Sequence, residues 1–284
     1  MSTGYLALST EKKMAVARKI SSGLCGVRRL FGKSSDVIVE RRGGIKWNLN
    51  LRQGIDLAIF LGMYEPETSE ALLENAEAGD VVLDIGANIG AHTLPLAKKV
   101  GAGGRVLAIE PTTYALGKLK ENVALNPEFS AQIEVVSVML GDGGASMPET
   151  IPSSWPLTEG KQELDPDFLG EFQSTAEAQL TTLDDLVSRK NLSRIDLIKL
   201  DVDGFEFGVL NGARETIRQF KPRVLFEVAP YLHDRQPHSF DGLLKLIGEL
   251  GFRVHELGSH RELALSRESF PRQNGESVDV MLIS

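Results

Sequence analysis

Short apolar runs separated by segments of helical period organise this chain. Val81-Val82-Leu83 and Val106-Leu107-Ala108-Ile109 read as buried strands, as do stretches at 133–138, 195–201, 223–228, 252–257 and 278–283. Between most of them lie 3.6-period segments at 91–100, 114–125, 182–189, 206–219 and 240–250, which predict helices. Alternating strands and helices imply parallel strands joined by right-handed crossovers. The alternation stops after 252–257, where Gly258, Pro271 and Gly275 replace a helical pattern, so the last strand is expected to return antiparallel. The expected fold is α/β: a seven-stranded sheet, mostly parallel, with an antiparallel last strand and helices on both faces.

Ahead of this unit, Val37-Ile38-Val39 and Ile45-Lys46-Trp47-Asn48-Leu49 flank Arg41-Arg42-Gly43-Gly44 and predict a β-hairpin. Helical stretches follow at 54–62 and 68–76. Residues 12–33 interleave Lys12, Lys13, Arg18, Lys19, Arg28, Arg29 and Lys33 with Met14, Val16, Ile20, Leu24, Val27, Leu30 and Phe31, and contain no acid. This is a basic amphipathic helix or helix pair. It is expected either to meet an anionic membrane surface or to pack on the core or a second subunit, as in a homo-oligomer. The division expected is residues 1–78 as a lead-in and 79–284 as the main domain. The main domain carries an insertion at about 143–179, where Pro148, Pro152, Pro156, Pro166 and Trp155 suggest either a lid or a surface excursion. Thr181 and Thr182 are placed to cap the helix after it.

Composition narrows the classes. With 284 residues, 42% hydrophobic and 25% charged, the chain can bury a globular core without staples. Cys25 is the only cysteine, so no intrachain disulfide forms and a reducing cytoplasm is the expected compartment. No apolar run reaches the roughly 20 residues needed to span a bilayer. A net charge of −8 argues against nucleic acid as a partner.

The strand at 81–85 runs into Asp84-Ile85-Gly86-Ala87-Asn88-Ile89-Gly90. Glycines at 86 and 90 permit a sharp turn with room for a ligand, and the following helix presents free N–H groups. Twenty residues past Gly90, the next strand ends in Glu110, placed to accept hydrogen bonds from a ribose diol. A dinucleotide turn needs G-x-G-x-x-G, and a phosphate loop needs G-x-x-x-x-G-K-[ST]; neither is present. The D-x-G-x-N-x-G form, with a carboxylate that suits an ammonium group, points to S-adenosylmethionine. Together with the terminal antiparallel strand, it implies a class I methyltransferase layout rather than a dehydrogenase.

A second cluster lies in Ile195-Asp196-Leu197-Ile198-Lys199-Leu200-Asp201-Val202-Asp203-Gly204-Phe205-Glu206. Lys199, Asp201 and Asp203 alternate and are expected to share one face of the strand. Glu227 closes the neighbouring strand. Asp201 and Glu227 are candidate catalytic groups, with Lys199 beside them, for deprotonating an acceptor hydroxyl. Alternatively Asp201, Asp203 and Glu227 could hold a divalent metal that lowers the hydroxyl pKa. A buried ion pair that only orders the strand end is the structural alternative for Lys199.

These pieces resemble the FkbM family of S-adenosylmethionine-dependent methyltransferases over roughly residues 36–229. The matching segments are Tyr64-Glu65-Pro66-Glu67, Asp84 to Gly90, Ile109-Glu110-Pro111, Thr182-Leu183-Asp184-Asp185 and Ile195 to Ala213. This chain has Asp203 where the family usually has Glu. The resemblance implies O-methylation of a small molecule or glycan hydroxyl, with Asp84, Gly86, Asn88, Gly90 and Glu110 as donor-binding positions. Glu65 and Asp142 are further donor-site candidates. N-methylation, or donor binding without catalysis, are the alternatives on the same fold. His92, after the glycine turn, could touch donor or acceptor; His233 and His238 lie in a loop that could rim the substrate. None of the histidines shows metal-ligand spacing.

Overall fold

The computed structural model describes residues 10–144, 147–157, 170–273 and 276–284. Residues Thr10–Leu30 form one helix, with Met14, Ser21 and Cys25 buried and the Ser21 hydroxyl donating to the Leu51 carbonyl at 2.7 Å. Strands β1 (Val37–Arg42) and β2 (Ile45–Asn50) pair antiparallel across Gly43 and Gly44, both at positive φ as a two-residue hairpin turn requires. The free edge of β2 is not left open. Lys46 N–H and Asn48 N–H donate to the side chains of the buried residues Asn126 and Asn122 at 2.9 and 2.8 Å. Two asparagines thus stand in for a neighbouring strand and tie the hairpin to the helix Thr113–Ala124.

Helices Gly54–Leu61 and Pro66–Asn75 lead into the main sheet. Its members are β3 (Val81–Ile85), β4 (Arg105–Ile109) and β5 (Ile133–Val136) on one side. Outside the sheet, β6 (Val138–Leu140) and β9 (Gln179–Thr181) pair with each other, and β7 (Thr150–Ser154) pairs with β8 (Glu171–Ser174). The other side of the sheet is β10 (Leu197–Leu200), β11 (Arg223–Val228), β12 (Arg253–Glu256), β13 (Glu262–Leu263) and β14 (Val278–Ile283). The order is β13-β12-β14-β11-β10-β3-β4-β5. Strand β14 runs antiparallel between β11 and β12, as the missing helical pattern before it led one to expect, and the short β13 adds an eighth strand at the edge.

Both faces of the sheet are covered, and Val82, Leu83, Leu107, Leu197 and Phe226 are fully buried. The lead-in residues Trp47, Leu49, Leu57 and Leu72 share a hydrophobic core with Val82, Val106 and Leu197 of the sheet. The segment expected as one helix over 206–219 is two, Glu206–Asn211 and Arg214–Phe220. Gly212 sits at the break, where a Cβ would lie 2.1 Å from the Gly141 carbonyl oxygen. The chain winds outward from β3 to β5, then returns to β10 on the other side of β3. This reversal opens a crevice at the carboxyl ends of β3 and β10, where open α/β sheets bind ligands.

Candidate active site

A cavity of about 470 Å³ occupies that crevice. Its floor is the turn after β3. Gly86 has φ +81°, and a Cβ there would meet the Asp201 carbonyl oxygen at 1.9 Å. Asn88 has φ +46°, a conformation asparagine tolerates, and its side-chain oxygen accepts from Ile89 N–H at 2.9 Å. Its own N–H donates to Glu110 at 2.9 Å. The other Glu110 oxygen accepts from Thr112 N–H at 2.9 Å and from the Thr112 hydroxyl at 2.6 Å. Burial raises the Glu110 pKa, against the opposing effect of these three donors. They fix the carboxylate plane and use three of its roughly four acceptor sites, leaving about one for a donor in the cavity that Glu110 lines.

At the far wall, Asp201, Asp203 and Glu227 each offer an oxygen, and these atoms lie within 4.8 Å of one another. Three carboxyls this close cannot all ionise freely. Burial, then repulsion from Asp201 and Asp203, raises the Glu227 pKa well above the usual range. Burial, then Asp201 and Glu206, does the same for Asp203. Asp201 goes the other way: burial opposes its charge, but Lys199 and a hydrogen bond from Glu227 outweigh it and lower the pKa. Charge in the cluster is therefore favoured on Asp201 over Glu227 and Asp203.

Lys199 is not on the cavity wall. Its ammonium donates to the Gly86 carbonyl at 2.9 Å, pairs with Asp201 at 3.0 Å and lies 3.8 Å from Asp84. Burial disfavours its charge, yet the surrounding carboxylates prevail and raise its pKa above the ordinary lysine range. These contacts tie the glycine turn to the acid cluster and place the ammonium behind the cavity wall.

Other expectations also shift. Asp84 is fully buried behind the turn, accepting from the Thr93 hydroxyl at 2.5 Å, and its second oxygen has no hydrogen-bond partner. Gly90 does not face the cavity; a Cβ there would meet Leu94 and Leu119 at 2.5 and 2.8 Å, so its glycine serves helix packing. Asp142 is exposed and off the cavity wall, its side chain accepting from Gly144 N–H at 3.0 Å. Asp203 is not on the strand, which ends at Leu200; it sits beyond it at φ +51°, followed by Gly204 at φ +98°.

Glu65 does line the cavity, in a left-handed turn at φ 37°, and pairs with the buried His92 at 2.8 Å. The Tyr64 ring lies beside His92, with centroids 5.4 Å apart. The insertion supplies the roof. Pro148, Ile151, Ser153, Trp155 and Phe172 line the cavity from β7, β8 and their flanks. The Trp155 carbonyl accepts from Gly54 N–H at 2.8 Å, which fastens the roof to the lead-in helix. Ser153 also reaches the Thr112 hydroxyl at 2.9 Å. The rest of the insertion, including Pro166, lies outside the described residues.

Glu206, expected from the sequence to join Asp201, Asp203 and Glu227 in a ring of acids beside the methyl donor, lies instead behind their loop. Glu206 accepts from Val202 N–H and Gly204 N–H, both at 3.1 Å, bracing the loop that carries Asp201 and Asp203. His233, fully buried, lies 3.2 Å from the other Glu206 oxygen and 3.1 Å from His238, so these histidines back the loop rather than rim the substrate. Asp279 of β14 pairs in register with Glu227. Of these residues only Asp279 escaped the sequence, because nothing local marks a strand residue whose partner, Glu227, lies far earlier in the chain.

The family model described as the Methyltransferase FkbM domain matches residues 84–254. Methyltransferase sdnD of Sordaria araneosa is 27% identical over 169 residues, covering 50% of this chain and 64% of its own length. Hexuronic acid methyltransferase AglP of Haloferax volcanii is 25% identical over 154 residues, covering 54% of this chain and 58% of its own. This chain thus spans less than two-thirds of the length of either relative. Among solved structures, methyltransferase FkbM from Methylobacillus flagellatus KT is 18% identical, with a TM-score of 0.42, covering 76% of this chain and 50% of its own.

Proposed function

The chain belongs to the FkbM methyltransferase family, and from that premise we propose that it transfers a methyl group from S-adenosylmethionine to a hydroxyl of a small molecule or glycan. One observation carries the proposal: Glu110, at the end of β4, and Asp201, held in ion pair by Lys199, line the same cavity. The donor's ribose would sit on Glu110 and its sulfonium end would point toward the acids. Glu65 and the carboxylate field behind the turn suit its ammonium group.

The acceptor oxygen attacks the methyl carbon in line with the departing sulfur. The C–O bond forms with an oxygen lone pair, and the C–S pair leaves on sulfur. The hydroxyl proton passes to Asp201, whose ionised state Lys199 preserves. Glu227 is hydrogen-bonded to Asp201.

The cavity wall bears on the acceptor. Glu65, Glu110, Asp201, Asp203 and Glu227 line it, and among the described residues no lysine or arginine does. A carboxylate-bearing acceptor such as the hexuronic acid in the relative's name is disfavoured by this field; an uncharged hydroxyl compound is favoured. A second reading rests on the 4.8 Å grouping of Asp201, Asp203 and Glu227, which could hold a divalent cation that acidifies the hydroxyl. A cytoplasmic location belongs to the same proposal and rests on the lone, buried Cys25.

Calorimetry with S-adenosylhomocysteine and methyl transfer from labelled donor to a panel of neutral sugars and alcohols test this together. Micromolar product binding with Asp201→Asn retained, and turnover lowered by roughly 10²–10⁴-fold, is the expected pattern. Absence of product binding refutes the donor assignment. Turnover lost on chelation and restored by magnesium shifts the chemistry to the cation reading.

A further inference from the structure

The charge of this molecule is divided. Residues 12–52 hold eleven lysines and arginines against only Asp36 and Glu40, a formal +9 in a chain whose total is −8. The same region carries the exposed apolar surface. Among the described residues, the exposed large apolar side chains are confined to positions 20–63, apart from Phe172 and Leu265.

The helix Thr10–Leu30 gives this surface its shape. One face is anchored through Met14, Ser21 and Cys25. The opposite face shows Ile20, Val27 and Leu30, with Phe31 just past the helix end. Leu30 and Phe31 are 85% and 79% exposed. The helix closes on Gly32 at φ +74°, with Lys33 N–H bonding the Arg28 carbonyl at 3.0 Å and Gly32 N–H the Arg29 carbonyl at 3.0 Å. Helix ends of this type usually fold an apolar residue back over the cap at the position held here by Lys33. Leu30 and Phe31 therefore remain exposed at the capped helix end. Arg29 pairs with Asp36 at 3.1 Å, which fixes the tip to β1, where Val37 and Val39 extend the exposed apolar surface.

We propose that this tip and the surrounding basic surface dock on a membrane of anionic phospholipid, with Leu30 and Phe31 entering the interface. The lysines and arginines match the lipid charge, and the protruding pair needs no preformed pocket, which a protein partner would have to supply. None of the described helices is long and apolar enough to cross a membrane, so the contact is peripheral. Docking is independent of the methyl-transfer reading and can be measured without substrate.

The test is sedimentation of the full chain with vesicles of phosphatidylcholine alone or with 30% phosphatidylserine. Binding should require phosphatidylserine and weaken as salt rises. Leu30→Glu/Phe31→Glu should lower affinity by at least tenfold, on the scale of two buried apolar side chains. Lys12→Ala/Lys19→Ala/Lys33→Ala should lower it by roughly fivefold per charge removed. Circular dichroism and product binding by calorimetry report whether each variant remains folded. Wild-type binding no better with phosphatidylserine than without it overturns the proposal, as does undiminished binding by both folded variants. A dimer in solution that Leu30→Glu/Phe31→Glu dissociates, without vesicle binding by the wild type, would assign the face to a second copy instead.

Discussion

The carbonyl oxygen of Asp201 occupies the place where a side chain on Gly86 would begin, 1.9 Å from an ideal Cβ. The glycine turn and the acid loop are thus one packed unit. Gly86→Ala must displace the Asp201 backbone and adopt φ near +81° as well, a combined cost of roughly 2–5 kcal/mol. Product affinity and turnover should fall together. A variant that keeps full turnover, measured with labelled donor, would show that the two segments move independently.

Glu110 tests the donor half alone. Glu110→Gln keeps an acceptor for Asn88 or Thr112 but removes the charge that would strengthen hydrogen bonds to a ribose diol. Calorimetry should show product affinity down by roughly 10–100-fold. Unchanged affinity in a folded variant would move the ribose elsewhere.

Lys199→Met leaves Asp84 and Asp201 buried without their cation. Loss of one partner in such a pair costs roughly 3–5 kcal/mol, visible in urea unfolding. The catalytic consequence has a sign. Lys199 lowers the Asp201 pKa; without it that pKa rises, so the acid limb of the rate profile should move to higher pH. An acid limb that stays in place would exclude Asp201 as the group that must be ionised.

Asp279 predicts an unusual pH response. Burial pushes its carboxyl up to about 6, with a hydrogen bond from Thr68 opposing. A carboxyl raised on folding gives its full stability below the unfolded value of about 4 and loses it as pH rises through about 6. Asp279→Asn should therefore gain on the wild type by roughly 3 kcal/mol between pH 4 and pH 7.5 in urea titrations. A pH-independent difference would mean that Asp279 titrates normally.

Glu206→Ala should free the loop that carries Asp201 and Asp203 by removing the acceptor for Val202 and Gly204 N–H. We expect kcat to fall while product affinity changes little, because Glu206 touches neither the glycine turn nor Glu110. Equal losses in both would recast it as a residue of general stability.

What the sequence disclosed follows the range of each interaction. Strand β3, the Gly86 turn and Glu110 were legible because an apolar run, a glycine and a spacing are local signals. Asp203 was misplaced because strand alternation continued through residues that the αL turn at Asp203 and Gly204 removes from the strand. Gly90 looked like part of a ligand turn, although Leu94 and Leu119 determine it, and only packing reveals them. Lys199 was found, but whether it lies in front of the glycine turn or behind it depends on its bond to the Gly86 carbonyl. The pairing of Glu65 with His92 spans 27 residues and has no periodicity to betray it. The insertion announced a lid or a surface excursion by its length and prolines, but the pairing of β7 with β8 carries no repeating pattern to show it.

Strand β14 has a consequence for biosynthesis. Among the described strands of the sheet it comes last in chain order, yet it lies between β11 and β12. Until residue 283 clears the ribosome, a nascent chain exposes the unpaired edges of both neighbours, and Glu227 has no Asp279 opposite it. The acid centre is thus completed only after every other strand of the sheet has been made, and the half-made sheet is open to edge-to-edge aggregation.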